Sequence, residues 1–424
     1  MALEDYAGDM NMCCRCSACK FIPLQMVKGF KHANVCPSIS RYNFHFFSAG
    51  GRLNLGVAGL EKGFNYTPWY LSSLYNCQQC GACDVSCKYG MDMEVLLPIQ
   101  ELRIKAVEDG HAHPALAKVV ERMAKTGSMV PMEGAGRGDW AQGLGLKDAN
   151  QEKVEVLYHV GCLTSFDEGF RQLAQATAQI LTAAGVDFGI LGQAETCCGG
   201  RAYEMGHKQD FLTQAQKSLE QIKATGAKTL VTSCAECYQA YKVLYDRFGL
   251  RDDHELKVLH ITELMADLLS QGKLQPKKTL DLCVTYHDPC HLGRLGEPWI
   301  HWQGKKVPGD RFIFDPPKPY RRGGGGVYEP PRQVLHSLPG VVLTEMDRIK
   351  EYAWCAGSCG GVIDSNPEFA QWTAEQRLEE AKCTGADAIV SASPWAEKLL
   401  KTAAGNGQCH LGIYDVVELV AQAI

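Results

Sequence analysis

The cysteines of this chain are not scattered. One run reads Cys13-x2-Cys16-x2-Cys19, with Cys36-Pro37 further on, and a second reads Cys77-x2-Cys80-x2-Cys83-x3-Cys87. In all there are 20 cysteines among 424 residues. Disulfide-dense scaffolds are usually short, secreted domains. A long chain with clustered cysteines points instead to a reducing compartment and to metal. The first residues, MALEDYAGDMNMCC, carry acidic groups where an export signal needs basic ones, and they have no apolar core. There is no apolar run of membrane-spanning length. The expected location is the cytoplasm, with any membrane association made through partners. A net charge of −5 gives no basic footprint for nucleic acid.

Three cysteines at two-residue intervals wrap the backbone around one face of a [4Fe–4S] cubane, and the fourth ligand comes from elsewhere. In two-cluster ferredoxins the fourth cysteine of each run ligates the other cluster. That pattern predicts Cys13, Cys16, Cys19 and Cys87 on one cluster, and Cys77, Cys80, Cys83 and Cys36 on the second. Cys36 precedes a proline as the bacterial pattern expects, whereas Cys87 precedes Lys88. Cys14 is left over and reads as a packing residue. Zinc is the competing occupant, since C-x2-C pairs also bind it. Two matched dense runs favour iron–sulfur.

The organisation follows from the texture of the sequence. Residues 1–125 read as a helical, two-cluster ferredoxin-type domain. Residues 126–150 are glycine-rich and read as a linker or a loop wrapped over a neighbour. Strand and helix signals then alternate in two passes of the same order, 151–275 and 276–424. Each pass should form a largely parallel sheet with helices on its faces, an α/β architecture. An insertion at about 297–331, rich in Pro, Gly, aromatic and basic residues, breaks the symmetry. It reads as a surface loop, with a partner-docking arm as the sharper alternative.

The first pass carries Cys162, then Cys197-Cys198-Gly199-Gly200, then Cys234-x2-Cys237. Each group follows a predicted strand. The carboxyl ends of parallel strands open on one edge, where ligands bind in such sheets. Five thiolates there select iron–sulfur or zinc, and five exceed what one tetrahedral metal or an ordinary cubane needs. The glycines let the backbone approach a bulky cofactor.

The spacing from Cys162 to Cys237 resembles the cysteine-rich CCG domain of heterodisulfide reductases and their relatives. The two N-terminal runs, with SAGGR between them, resemble the ferredoxin module fused to it. HDPCHLGR, GVYEPPRQVLHSLPG, EYAWCAGSCGGV and GADAIVSASP resemble the family's second repeat. The resemblance covers nearly the whole chain and implies a heterodisulfide-reductase-like, CCG-domain iron–sulfur electron-transfer protein. It implies that Cys162, Cys197, Cys198, Cys234 and Cys237 bind a non-cubane [4Fe–4S] cluster.

The second repeat departs from that pattern. It keeps Cys290 and Cys355, but Ala356 stands where the family has a second adjacent cysteine, and Ser393 and Ala396 replace a C-x2-C pair. Cys359 is extra. The three remaining thiols, with His287 or His291 as a fourth donor, leave two readings open: an altered site holding a cluster or zinc, or a vestigial site without metal. Cys283, Cys383 and Cys409 read as packing. A chain with one complete five-cysteine site is expected to relay electrons rather than carry the substrate site. Its expected setting is an anaerobic complex with flavin-bearing or other iron–sulfur subunits. The insertion resembles the heterodisulfide-reductase-like component of class II benzoyl-CoA reductase complexes. Alternatives are a catalytic disulfide reductase and the iron–sulfur subunit of a glycolate or lactate oxidase.

Overall fold

Short, mostly apolar runs set the principal strands of the protein. The computed structural model describes residues 2–132, 134–251, 255–307, 313–319, 321–405 and 409–424. Its first sheet comprises β1 (Lys147–Asp148), β2 (Val156–His159), β3 (Phe188–Ile190), β4 (Thr229–Thr232) and β5 (Lys257–His260). They lie in the order β1-β3-β2-β4-β5, and every pairing is parallel. In the second half come β6 (Leu282–Tyr286), a short antiparallel hairpin β7 (Lys305–Lys306) and β8 (Phe314–Asp315), then β9 (Val341–Leu343), β10 (Ala388–Ser391) and β11 (Gly412–Asp415). The second sheet runs β11-β10-β6-β9, again all parallel.

The two sheets share one topology. Read outward from their centres, β3-β2-β4-β5 matches β9-β6-β10-β11. Central strands are apolar on both faces, as helix-covered parallel strands must be. Leu157, Tyr158, Leu230, Val231, Ile389 and Val390 are all fully buried. β1 is the one addition: the glycine-rich stretch before it ends by pairing Lys147 with Gly189 on β3.

Upstream lies a helical region with helices at Ala49–Lys62, Pro68–Tyr75, Ala82–Met91, Leu96–Glu108 and Pro114–Thr126. Ser48 caps the first by accepting from Gly51 N, and Thr67 caps the second with Pro68 at its first position. Gly51 is obligatory for space: a Cβ there would stand 2.3 Å from the carbonyl oxygen of His45. In the helix Leu96–Glu108 nearly every residue to Ala106 is buried, including Arg103. Such all-round burial marks a helix packed between bodies rather than on one.

The insertion folds back onto this helical region. Trp299, Trp302, Phe314 and Lys318 line a groove with Tyr6, Asp9, Glu94 and Leu97, and Lys318 Nζ sits 3.2 Å from Glu94. Residues 308–312 and 320 of the insertion, and 133 of the glycine-rich stretch, lie outside the described residues.

Candidate metal centres

Both N-terminal cysteine runs adopt the same unusual backbone. A left-handed residue flanks the middle cysteine on each side: Arg15 (φ 61°) and Ser17 (φ 70°) around Cys16, Gln79 (φ 52°) and Gly81 (φ 77°) around Cys80. Non-glycine residues rarely sit at such φ. Alternating handedness turns successive N–H groups toward one concavity, the kind of nest that receives anionic cages. Cys13, Cys16, Cys19 and Cys87 line one cavity, with His45, Gly50 and Met93 among its walls. Cys16 opens to solvent, and Cys14 beside it is exposed rather than packed.

The second run is buried. Cys83 is raised well above the usual thiol range by burial and then by Cys36, Cys77 and Cys80 around it. Cys36 caps the helix Pro37–Tyr42, and burial lifts its thiol to about 11 against the pull of Arg52. Lys88, which follows Cys87, is buried with its ammonium 2.9 Å from Asp84 and 2.8 Å from Glu94. Burial pushes Glu94 up, but Lys88 and Lys318 outweigh it and hold the carboxyl at about 2.

At the carboxyl edge of the first sheet, Cys162 follows β2, Cys197 and Cys198 follow β3, and Cys234 and Cys237 follow β4. All five are buried. Their thiols touch in a continuous chain, Cys162–Cys197–Cys198–Cys237–Cys234. Hydrogen bonds from Cys197 and then Cys237 draw Cys198 down to about 6. Gly161, at φ 89°, passes so close that a Cβ would lie 3.3 Å from Cys237 Sγ. The helix after Cys234 starts at Ala235 and widens into a π-turn over Ala240–Leu244, a departure from the single regular helix that its sequence suggests. The wider turn brings in Tyr241 and Tyr245, whose hydroxyl donates to Cys198 O at 3.0 Å.

Several residues that complete this site lie outside its motif. Arg137, from the glycine-rich stretch, donates to Cys162 Sγ (3.5 Å) and pairs with Glu195 (3.0 Å). Glu195 also accepts from Val160 N and Gly161 N, which pins the loop before Cys162. Burial pushes Glu195 up, yet His159, Arg137 and those N–H groups outweigh it and hold its carboxyl below the ordinary range. The burial of Arg137 within the glycine-rich GAGRGDW has no sequence signal of its own.

The second sheet presents Cys290 after β6, and Cys355 and Cys359 after β9, all buried. Their sulfurs lie within 4.8 Å of one another. Arg294 NH2 donates to Cys290 Sγ at 3.1 Å. Arg294 lies four residues after Cys290 in a turn segment, a spacing that HDPCHLGR already contained. Of the neighbouring histidines, His291 faces the thiols, with Nδ1 3.8 Å from Cys359 Sγ, and His287 is turned to Arg377. His287 Nδ1 accepts from Arg377, and His291 is held between Glu204 (2.5 Å) and Glu236 (3.5 Å). Cys383, read as packing, is exposed and accepts from Lys31. Cys283 is half-buried beside Thr344, and Cys409 packs at the edge of the second core.

The two sheet edges and the second cysteine run meet. Ser393 donates to Glu236, which stands between Cys234 and Cys237. Glu204, just after the paired cysteines, accepts from Gly360 N in the other half. Arg103, fully buried, donates to Leu74 O, Cys77 O, Glu204 O and Gly360 O, so one guanidinium ties all three regions.

Comparison with known proteins agrees with this architecture. A "Cysteine-rich domain" family matches residues 156–241 and 284–395, and a "4Fe-4S dicluster domain" family matches residues 9–91. A dihydromethanophenazine:CoB–CoM heterodisulfide reductase subunit of Methanosarcina acetivorans is 30% identical over 440 aligned positions, covering 98% of this chain and 94% of that one. The chain belongs to the heterodisulfide reductase family of cysteine-rich iron–sulfur subunits. The Methanosarcina mazei protein of the same name is 31% identical over 84% of this chain and 79% of its own. More distantly, the "EtfAB:quinone oxidoreductase" of Syntrophomonas wolfei is 29% identical over 87% of this chain, which spans 49% of that protein. Membership makes the chain an iron–sulfur oxidoreductase subunit of heterodisulfide reductase type. Among the described residues, no helix of this family member is long and apolar enough to cross a membrane.

Proposed function

We propose that the chain relays electrons within an oxidoreductase complex, between two cubane [4Fe–4S] clusters and one non-cubane [4Fe–4S] cluster. The carrying observation is a gradient of burial. The run Cys13–Cys19 reaches the surface, the run Cys77–Cys83 is buried, and the latter is tied through Arg103 to both cysteine-rich halves. Cys13, Cys16, Cys19 and Cys87 would hold the outer cubane, and Cys36, Cys77, Cys80 and Cys83 the inner one. Cys162, Cys197, Cys198, Cys234 and Cys237 would hold the third cluster; their extended chain of sulfur contacts suits a cage larger than one ion. When bound, the clusters supply one-electron redox chemistry. The protein's part is to exclude water, to hold the sulfurs, and to place Arg137, the Tyr245 hydroxyl and backbone N–H groups near them. Such charges and hydrogen bonds set cluster potentials. The partner would be a flavin-bearing or iron–sulfur subunit meeting the exposed run.

The test is anaerobic purification of the native complex with iron analysis and EPR. Three clusters predict about twelve iron per chain. Cys198→Ser should remove the third cluster's signal and leave both ferredoxin-type signals. Abundant zinc with little iron would refute the relay.

The names of the relatives favour a second reading, in which the five-cysteine site itself reduces a disulfide. Turnover of a mixed disulfide by the isolated chain with an artificial donor, lost in Cys198→Ala, would replace the relay with that reading.

A further inference from the structure

We propose that Cys290, Cys355, Cys359 and Cys80 form a four-thiolate site for a single divalent ion, zinc or ferrous iron, at the seam between the ferredoxin-type region and the second half. The first observation is compactness. Among the described residues, Cys290, Cys355 and Cys359 are the only His, Cys, Asp or Glu group whose ligand atoms all lie within 4.8 Å of one another. Cys355 and Cys359 sulfurs are 3.5 Å apart. With metal–sulfur bonds near 2.3 Å, a tetrahedral ion holds its sulfurs about 3.8 Å apart. A cubane spreads its thiolates around a wider cage. Among the described residues no other cysteine group meets this compactness, so these three thiols of the altered half differ in kind from the cluster runs.

The second observation supplies the fourth corner. Cys80 shares one buried cluster with these three cysteines and with Ile22, Val35 and Ala82; its sulfur stands outside their 4.8 Å group and would close onto the ion as the fourth ligand. The seam is fastened on every side of them. Arg294 donates to Cys80 O (2.5 Å) and to Cys290 Sγ. Gln78 lies against Thr373, and turning its amide to satisfy all its neighbours lets it donate to Gly357 O and Cys359 O. A Cβ on Gly360 would meet the Gln78 carbonyl at 2.8 Å. Gly357 N donates to Cys355 Sγ (3.3 Å), and His291 Nδ1 lies 3.8 Å from Cys359 Sγ. These donors and the Arg294 cation offset the negative charge that four thiolates leave on a divalent ion. The histidines, engaged elsewhere, are not needed as ligands.

The departures from the family pattern then acquire a reason. Losing cysteines at Ala356, Ser393 and Ala396 reduces the site to the set that one ion requires, with Cys80 completing it. Cys80 also belongs to the proposed inner cubane, so its thiolate bridges the two. The ion's existence does not rest on the relay reading.

The test uses the full chain purified without oxygen, with X-ray absorption at the zinc and iron edges and Mössbauer spectroscopy. The expected result is one ion per chain with four sulfur neighbours. It appears either at the zinc edge or as a high-spin ferrous component beside the clusters. Cys355→Ser and Cys359→Ser should each abolish that ion or replace one sulfur by oxygen, with the outer cubane's EPR signal retained as proof of folding. Cys80→Ser should alter both the ion and the inner cubane. The proposal is overturned if the wild-type chain holds neither ion. It is also overturned if iron rises to about sixteen per chain as a fourth cluster, or if the ion keeps its sulfur count in Cys80→Ser. A chain with the four-sulfur ion but far fewer than twelve iron would sustain this site and defeat the relay.

Discussion

The two cysteine-rich halves are the same scaffold carrying different ligand sets. Strand order and strand direction coincide, and the three ligand-bearing loops of the first half have counterparts in the second, two of which keep cysteines. In each half the first cysteine receives a guanidinium on its sulfur, Arg137 on Cys162 and Arg294 on Cys290, yet the two arginines come from unrelated places in the chain. What differs is the neighbour. The first edge is closed by the stretch before β1, which brings an arginine that is paired with Glu195. The second is closed by the ferredoxin-type run, which brings Cys80, whose carbonyl accepts from Arg294 alongside Ala353 O of the second half itself. A duplicated edge thus keeps its geometry while its chemistry follows whatever is docked against it.

The sharpest way to break this comparison is to restore the missing ligands. Ala356→Cys, Ser393→Cys and Ala396→Cys together should raise iron by about four per chain, measured after anaerobic reconstitution. No gain would mean that the second scaffold has lost more than its thiols. Next in size is Arg137→Met. It strands Glu195 in the interior, so a loss of about 3–5 kcal/mol is expected, read from a denaturant midpoint. The third cluster's potential should also move negative. Arg294→Met removes donors from carbonyls rather than from a carboxylate, so about 1–3 kcal/mol is expected in the same titration. An equal or larger loss than at Arg137 would show that the two arginines do the same job. Smallest is Ser393→Ala, which removes one hydroxyl donor from Glu236; about 1 kcal/mol is expected, with iron content unchanged.

Much of this was legible in the sequence, because the signals were local. Strand and helix positions in both halves follow from apolar periodicity and glycine stops, and the duplication follows from their order. The cysteine spacings announce their own grouping because each run is continuous in sequence. The rest depends on distant residues. Nothing in the periodicity of Leu96–Glu108 says that Arg103 reaches carbonyls of three regions. Nothing in the run Cys77–Cys87 says that Cys80 faces Cys290. The π-turn after Cys237 has no distinctive composition, since tertiary packing of Tyr241 and Tyr245 sets it. Lys88 was visible as a departure from proline, but its role needed Glu94 beside it. Arg294 alone was recoverable, from its spacing to Cys290.

The wedge of Gly360 against the Gln78 backbone has a consequence for how the protein matures. With the second half docked, Cys77, Cys80 and Cys83 are sealed on a face where even a methyl group would collide. On the proposed assignment, a cluster there would have to be delivered before that half closes, or the half would have to swing away to admit it. The outer site, with Cys16 at the surface, has no such deadline. Under that assignment loading would run from the inside outward, and iron starvation is expected to leave chains arrested with the second half undocked, detectable as faster proteolysis.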